Sequence, residues 1–290
     1  MRRPRKSLHA GRPPTAQLAR RSMSRKTSRN LINKHHQLEK RQRQAIAQGD
    51  KKAEAAISAE ISNLGGLNRY QQASLQGQSN ERGGDTSKIL LEMLPVDLIK
   101  KADRRPRMLE VGSLSTRNAC SNSRLFDMVH IDLNSQEPGI LKQDFMTRPL
   151  PEESAEEFDI ISLSLVLNFV PEAEGRGQML FRTLLFLRQP ADTMQNPNDD
   201  PFPSLFLVLP RSCVDNSRYF SDKKLDSLMV ALGYTMRHSK KTQKLAYSLW
   251  VRDHMTAGEI RFTKQEVNPG RKRNNFAITL TSLLLGSSIE

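Results

Sequence analysis

Three acidic residues and one glycine stand where the sequence predicts the ends of buried strands, and their types suit a small-ligand site. Glu110 and Gly112 close the apolar run RMLEVG, Asp132 ends MVHIDL, and Asp144 ends ILKQDF. In an open α/β sheet, ligands bind beyond the carboxyl ends of the strands. An acid 20 residues after a glycine turn is suited to accepting hydrogen bonds from the two hydroxyls of a ribose.

The turn after the first strand, GSLSTRN, contains a single glycine, which discriminates between cofactors. A dinucleotide needs G-x-G-x-x-G, because its pyrophosphate must approach bare backbone and a helix N-terminus. S-adenosylmethionine has no phosphate and asks less of this loop. We therefore expect S-adenosylmethionine rather than NAD, with contacts from Gly112, Asp132, Glu110, Asp144 and Ser164. A strand that ends in a turn with two solvated acids is the alternative interpretation.

The elements that must hold these residues alternate between strands and helices. FDIISLSLVLN is a buried run typical of a central parallel strand, and SLFLVLP is the next strand. The sequence predicts helices over 117–125, in QMLFRTLLFLRQ and in KKLDSLMVALG. Apolar alternation in KLAYSLWVR and NNFAITL predicts an antiparallel pair at the C-terminal edge. The expected fold class is α/β and Rossmann-like, with a mostly parallel seven-stranded sheet.

The positive charge is concentrated near the N-terminus. Residues 1–80 contain 17 Lys and Arg against four Asp and Glu, whereas the rest of the chain contains 28 against 27. We predict three regions: a basic, partly disordered and partly helical arm over 1–63, a helical lead-in over 64–104, and a Rossmann-like domain over 105–290. Within the arm we expect one or two solvated helices that break near Gly49. In the lead-in, SKILLEMLPVDLIKKA predicts one helix.

Composition also narrows the class of protein. Cys120 and Cys213 have neither metal-ligand spacing nor the pattern of a disulfide framework, which favours a reducing compartment. No apolar run approaches the roughly 18 residues of a membrane span, and the N-terminus lacks the apolar segment of a secretory signal. We expect a soluble intracellular protein with no metal and no membrane partner. The basic stretches RRPRK and EKRQRQ are predicted to bind RNA phosphates and to act as nuclear localisation signals. A solvated tail is the alternative.

Seven stretches between about residue 60 and residue 281 carry a specific resemblance to a known family. They are GGLNRYQQASLQGQ, RGGDTSK, LEVGSLSTRNACS, VHIDLNSQEPGILKQDF, FDIISLSLVLNFVPEAEGRGQML, PRSCVDNSRYFS and GRKRNNFAI. Together they resemble the fungal nucleolar 25S ribosomal-RNA adenine-N1 methyltransferases. The resemblance implies a class I methyltransferase that uses S-adenosylmethionine to modify ribosomal RNA in the nucleolus, on the pre-60S particle. It carries Gly112 and Asp132 over as cofactor contacts.

The implied reaction asks for alignment rather than for a general base. Adenine N1 is a neutral lone pair, so the enzyme must hold the base unpaired and in line with the methyl group. We predict that Asn168 grips the base edge and that Phe169 stacks on the ring; a strand-end cap and a core position are the alternatives. The predicted RNA contacts, with a helix-capping polar loop as the alternative, are Arg211, Asn216, Arg218 and Tyr219.

Two other functions stay open on the sequence. Animal relatives of this family are associated with S-adenosylmethionine sensing in nutrient signalling through the target-of-rapamycin pathway. Such a sensor would keep Gly112 and Asp132 but would need no RNA surface. An assembly factor would bind pre-ribosomes, with catalysis secondary. The positive charge of residues 1–80 favours the enzyme over the sensor, since a sensor has no evident use for it.

Overall fold

The computed structural model describes residues 25–66, 85–135, 137–190, 201–254, 256 and 259–283. The chain divides into two compact units, residues 1–82 and residues 83–290. Predictions for RRPRK, and for the lead-in between residues 67 and 84, lie outside the described residues. Within the described ranges, no helix combines the length and the apolar character that a membrane span requires.

The described part of the first unit includes the helices α1 (Arg25–Ala47) and α2 (Lys51–Asn63). They are separated by a turn in which Gly49 has φ +68°. The Asp50 carboxylate caps α2 by accepting a hydrogen bond from the Ala53 N–H at 2.9 Å. Of the one or two helices predicted with a break near Gly49, the structure has two, and the break lies at Gly49. Their buried apolar residues are Leu38, Ala45 and Ile57.

The second unit is built on one large sheet. Its strands are β1 (Arg107–Val111), β2 (Asp127–Asp132), β3 (Ile140–Lys142), β4 (Ile160–Ser164), β5 (Ser204–Pro210), β6 (Tyr234–Lys241) and β7 (Leu245–Arg252). They lie in the order β3-β2-β1-β4-β5-β7-β6. Strands β1 to β5 run parallel, and β7 is antiparallel to both of its neighbours. The predicted mostly parallel seven-stranded sheet with an antiparallel C-terminal edge pair is confirmed.

Helices cover both faces of this sheet. They are α3 (Ser87–Met93), α4 (Val96–Lys101), α5 (Ala119–Ser123), α6 (Ala173–Thr183), α7 (Arg211–Asp215) and α8 (Asp222–Ala231). Because side chains alternate along a strand, β5 sends Leu205 and Leu207 into a core with α6, α7 and α8. It sends Phe206 and Val208 into a second core with α3, α4 and α5. A separate two-stranded sheet contains β8 (Glu259–Phe262) and β9 (Leu280–Leu283).

The predicted edge pair is correct in kind but wrong in one member. KLAYSLWVR forms β7, but its antiparallel edge partner is YTMRHSKK, not NNFAITL. Strand β6 is exposed along most of its length, so it lacks the apolar alternation that marks a strand in sequence. NNFAITL alternates because Phe276 and Ile278 are buried in the core, yet only Leu280 belongs to a strand, β9.

Other predicted elements have different bounds. SKILLEMLPVDLIKKA forms two helices, because Pro95 cannot continue the first one. FDIISLSLVLN was expected to be a strand up to Asn168, but β4 ends at Ser164, because Leu165 turns into the left-handed region with φ +59°. QMLFRTLLFLRQ was expected to be one helix, but α6 begins earlier, at Ala173, and ends at Thr183.

Candidate functional site

The turn after β1 is pinned to its neighbours and has no room for a side chain. Gly112 has φ +73°, a conformation that favours glycine. A Cβ at this position would lie 2.9 Å from the Val166 Cγ2 atom. The N–H groups of Gly112 and Ser113 donate to the Ile131 carbonyl at 2.9 and 3.0 Å. Since Ile131 directly precedes Asp132, the structure brings Gly112 and Asp132 together at the carboxyl ends of β1 and β2.

Glu110 is the centre of a polar network beneath this turn. Its carboxylate lies 2.8 Å from the Nδ1 atom of buried His130, its partner in the β1–β2 register. Asn118 Nδ2 donates to both carboxylate oxygens at 2.9 and 2.8 Å, and Ser113 Oγ donates at 3.0 Å. His130 Nε2 lies 3.3 Å from Ser121 Oγ in α5. The network fixes the loop between β1 and α5, and a direct contact of Glu110 with a cofactor stays a prediction.

Sequence reasoning missed His130 and Asn118. A usable signal existed for His130, because residues i and i+2 of a strand share a face and His130 stands two residues before Asp132. For Asn118 the signal was its position as the N-cap of a short helix, where its side chain accepts from the Ser121 N–H at 3.0 Å.

Asp132 and Asp144 lie at or just beyond the carboxyl ends of their strands. Asp132 is the last residue of β2, and its Oδ1 accepts from the Asn134 N–H at 2.8 Å. The prediction that Asp144 ends β3 is wrong. Strand β3 stops at Lys142, and Asp144 lies two residues beyond it. Its Oδ1 accepts from the Met146 N–H at 2.8 Å. Since β2 and β3 are neighbours, both acids lie at the same edge of the sheet as Gly112.

The segment after β4 begins with a strained residue. Ser164, the predicted contact at the end of β4, shares a hydrogen bond of 2.8 Å with the Thr86 hydroxyl. Leu165 then adopts φ +59°, a conformation that bulky side chains rarely take, while its N–H donates to the Val208 carbonyl at 2.9 Å. Such strain is concentrated at functional sites, where the surrounding structure holds it in place.

Asn168 and Phe169 lie in this segment rather than at the end of β4. Among the residues that the structure describes, the Asn168 Oδ1 atom is buried and has no hydrogen-bond partner. Buried polar atoms are almost always paired, so an unpaired one calls for an explanation. The capping alternative does not supply it, since this oxygen accepts no such bond. Phe169 is half-buried, and its N–H donates to the Val166 carbonyl at 2.9 Å.

Residues 165–171, which follow β4, are called the Asn168 segment below. Arg176, which was not predicted from the sequence, holds this segment in place. Its guanidinium donates to the Val170 carbonyl at 2.8 Å and to the Pro171 carbonyl at 3.0 Å. It also donates to the Ala277 carbonyl at 2.6 Å and lies 4.5 Å from the centre of the Phe276 ring. Burial lowers the pKa of Arg176 below its ordinary value. Arg176 thus joins the segment after β4 to the segment before β9.

Three of the four predicted RNA contacts lie together. The Asn216 carbonyl accepts from the Asn274 N–H at 3.0 Å, and the Arg218 N–H donates to the Asn274 carbonyl at 2.9 Å. Tyr219 follows directly, with the Lys264 Nζ atom 4.4 Å from its ring centre. The stretches PRSCVDNSRYFS and GRKRNNFAI, distant in sequence, therefore pack side by side.

Arg211, the fourth, is engaged elsewhere. Its Nε atom donates to the Asp215 carboxylate at 2.5 Å, and Lys241 contacts the other oxygen of that carboxylate at 2.7 Å. Hydrogen bonds from Lys241 and Arg211 hold the pKa of Asp215 below its ordinary value. The charge of Arg211 is therefore largely compensated within the fold.

Both cysteines are buried free thiols. Burial raises the pKa of Cys213 to about 12, and burial likewise raises that of Cys120. A thiol with such a pKa is inert as a nucleophile near neutral pH.

The order of the sheet, with antiparallel β7 inserted beside β5, and the glycine turn next to an acid define a Rossmann-like, class I methyltransferase fold. A family model described as 25S rRNA (adenine(2142)-N(1))-methyltransferase, Bmt2, matches residues 55–278. The chain belongs to this family, which confirms the resemblance found in the sequence.

Individual relatives agree with this assignment. The chain is 41% identical over 228 residues to the 25S rRNA (adenine(2142)-N(1))-methyltransferase of Saccharomyces cerevisiae, covering 77% of this chain and 63% of that protein. It is 38% identical over 253 residues to the 25S rRNA adenine-N(1) methyltransferase of Schizosaccharomyces pombe, covering 86% and 89%. The chain thus spans less than two thirds of the Saccharomyces cerevisiae relative. A solved structure of the 16S rRNA methylase RmtB aligns with a TM-score of 0.41 and 12% identity, over 78% of this chain and 98% of that one.

Proposed function

We propose that this protein transfers a methyl group from S-adenosylmethionine to N1 of an adenine in 25S ribosomal RNA. The observation that carries the proposal is the family match over residues 55–278. We further propose that it acts in the nucleolus on the pre-60S particle, which the basic composition of residues 1–80 supports.

The residues at the carboxyl edge of the sheet fit this cofactor. Gly112 leaves the backbone bare where a ligand must approach, and any side chain there would meet Val166. Asp132 lies one strand over, and we assign its carboxylate to the two ribose hydroxyls. We assign Asp144 to the adenine amino group of the cofactor, with Ser164 and Glu110 as further contacts. When bound, S-adenosylmethionine supplies an electrophilic methyl group on a sulfonium.

The substrate adenine needs orientation, which the Asn168 segment provides. Because N1 carries a lone pair, no residue has to remove a proton before methyl transfer. The unpaired Asn168 Oδ1 atom is suited to accept a hydrogen bond from the 6-amino group, which adjoins N1 on the base edge. Phe169 follows it as the stacking residue. Arg176 keeps both residues in register by binding the Val170 and Pro171 carbonyls.

Cofactor binding is the first test. Calorimetry on the purified full chain should detect S-adenosylmethionine, and Asp132→Ala should weaken the affinity by about tenfold or more, the value of one or two lost charge-assisted hydrogen bonds. Asp127→Ala is the matched control, since it removes a carboxylate from the opposite, amino end of the same strand. Equal affinity of the two variants would refute the ribose assignment.

Mapping of adenine methylation is the second test. Cells without the gene should lose one N1-methyladenine in 25S ribosomal RNA, and wild-type protein but not Gly112→Arg should restore it. If every mark is unchanged while the protein still binds S-adenosylmethionine, the enzyme proposal fails and a sensing role takes its place.

A further inference from the structure

We propose that a basic surface around Tyr219 docks single-stranded RNA beside the target adenine. The Tyr219 surface, as we call it, consists of Arg218, Tyr219, Lys264, Arg271 and Lys272. The proposal deepens the proposed function and rests on it, because it states how that substrate is held. It also differs from the contacts predicted from sequence, since it leaves out Arg211 and Asn216 and adds residues from the segment before β9.

Local charge is the first observation. Residues 211–224 and 261–275 together contain nine Lys and Arg against three Asp and Glu. Residues 81–290 as a whole contain 28 Lys and Arg against 27 Asp and Glu. This nearly neutral part of the chain therefore includes one strongly basic region. A concentrated positive field of this kind attracts polyanions.

The way these cations are held is the second observation. Arg218 donates to the Gly270 carbonyl at 2.9 Å and to the Asn275 side-chain oxygen at 3.4 Å. Lys264 lies over the Tyr219 ring at 4.4 Å, with the Arg218 guanidinium carbon at 5.9 Å. In the part of the chain that the structure describes, no member of the surface forms an ion pair with a carboxylate. Neutral groups therefore hold Arg218 and Lys264 in place without cancelling their charge.

Connection to the Asn168 segment is the third observation. The Arg218 carbonyl accepts from the Val267 N–H at 2.8 Å, which ties the two halves of the surface together. Ser217 Oγ donates to the Phe276 carbonyl at 2.5 Å. The next residue, Ala277, accepts from Arg176, which in turn holds the segment that carries Asn168. The surface and the predicted base-binding residue therefore belong to one hydrogen-bonded frame.

These features fit a single strand better than a duplex. Methylation at N1 requires an unpaired adenine, because N1 lies on the pairing edge, and its neighbours in the chain are then accessible as well. An amphipathic ring flanked by cations is the usual platform for one stacked base and its phosphates. We assign a nucleotide next to the target to Tyr219, and neighbouring phosphates to Arg271 and Lys272, which are exposed.

Two variants of the full chain test the surface. In Arg271→Gln/Lys272→Gln, the slope of log affinity against log salt should fall by about 1.4, since each phosphate contact to a single strand contributes about 0.7. In Tyr219→Leu, affinity for a single-stranded RNA oligonucleotide should fall about tenfold, as for one lost base stack, while Tyr219→Phe should keep it. The Arg271→Gln/Lys272→Gln and Tyr219→Leu variants should each raise KM for 25S RNA from cells without the gene, with little change in kcat. Their affinity for the cofactor should not change.

The control is Lys100→Gln/Lys101→Gln, which removes the same charge from exposed residues at the end of α4. The proposal would be overturned if both test variants matched this control in RNA affinity, in salt slope and in KM. The basic surface would then be assigned to binding of an acidic protein instead. Binding is measured without turnover, so the two proposals fail separately. Wild-type protein that binds RNA through this surface but methylates no adenine would refute the proposed function alone.

Discussion

The two ends of strands β1 and β4 differ in how their polar groups are satisfied. At the amino end, Asp159 is almost completely buried, with its side chain 4% exposed. Arg104 donates to its two carboxylate oxygens, both at 2.6 Å, and the Arg107 N–H donates at 2.7 Å. Arg188 adds an ion pair at 3.0 Å. The buried Asp159 carboxylate is therefore compensated on both of its oxygens by arginine charge.

At the carboxyl end the same strands leave strain and an unpaired group. Gly112 and Leu165 both have positive φ, and the buried Asn168 Oδ1 atom lacks a partner among the described residues. A fold can carry such costs only where the surrounding structure holds the strained residues in place. We therefore expect substitutions at the amino end to change the free energy of unfolding, and those at the carboxyl end to change ligand binding and turnover.

The largest expected effect is at the amino end. Asp159→Asn leaves two arginines without their counter-charge, and it should lower the free energy of unfolding by about 3 kcal/mol, the lower end for a broken buried pair. Denaturant titration measures this change. The control Asp127→Asn, at the same end of β2 but 63% exposed, should change it by less than about 0.5 kcal/mol. If the Asp159→Asn protein folded but lost its affinity for the cofactor, the assignment of the amino end to stability alone would be wrong.

The next effect is at the carboxyl end. Gly112→Arg forces a side chain into a left-handed turn where its Cβ would lie 2.9 Å from Val166 Cγ2, and methylation should fall more than about 100-fold, or about 2.7 kcal/mol. Steady-state methylation of 25S RNA measures the loss. Gly49→Arg is the control, because that glycine also has positive φ but has open space around it. Equal activity of the two variants would show that the turn after β1 is not a ligand site.

A smaller effect is expected for Asn168→Ala. Loss of one hydrogen bond to the base should lower kcat about tenfold, or about 1.4 kcal/mol, without reducing stability, because the removed oxygen has no partner to lose. Single-turnover methylation and thermal unfolding measure the two quantities. Asn63→Ala, exposed in α2, is the control. A destabilised Asn168→Ala protein with normal kcat would assign this residue to the frame instead.

The smallest effect is a dependence of stability on acid. Burial alone would raise the pKa of Asp159, but hydrogen bonds from Arg104 and the Arg107 N–H, with the charge of Arg188, hold it below its ordinary value. A depressed pKa contributes stability that is present above the unfolded value of about 3.9 and is lost as the pH falls through the folded value. The stability difference between wild type and Asp159→Asn should therefore be constant near neutral pH and shrink below about pH 4. A difference that grows in acid would contradict this assignment.

The sequence predicts the buried strands and the glycine turn well, because apolar periodicity and a single glycine before a distant acid are local signals. It does not predict β6, since an exposed edge strand shows no apolar face. It also misses Arg176, whose role depends in part on the Ala277 carbonyl, 101 residues away in the chain. Side chains that bind distant backbone leave no spacing in the sequence, and the Tyr219 surface was only partly foreseen for the same reason.

The contact of α6 with the segment before β9 limits how this protein can change. A Cβ at Gly177 would overlap the backbone carbonyl of Thr279, and the Thr279 N–H donates to the Ala173 carbonyl at 2.9 Å. No side-chain rotation relieves a clash with backbone. During evolution, a larger residue at Gly177 is therefore expected only together with a shift of the backbone around Thr279. Substitutions in α6 and in the segment before β9 should accordingly be coupled.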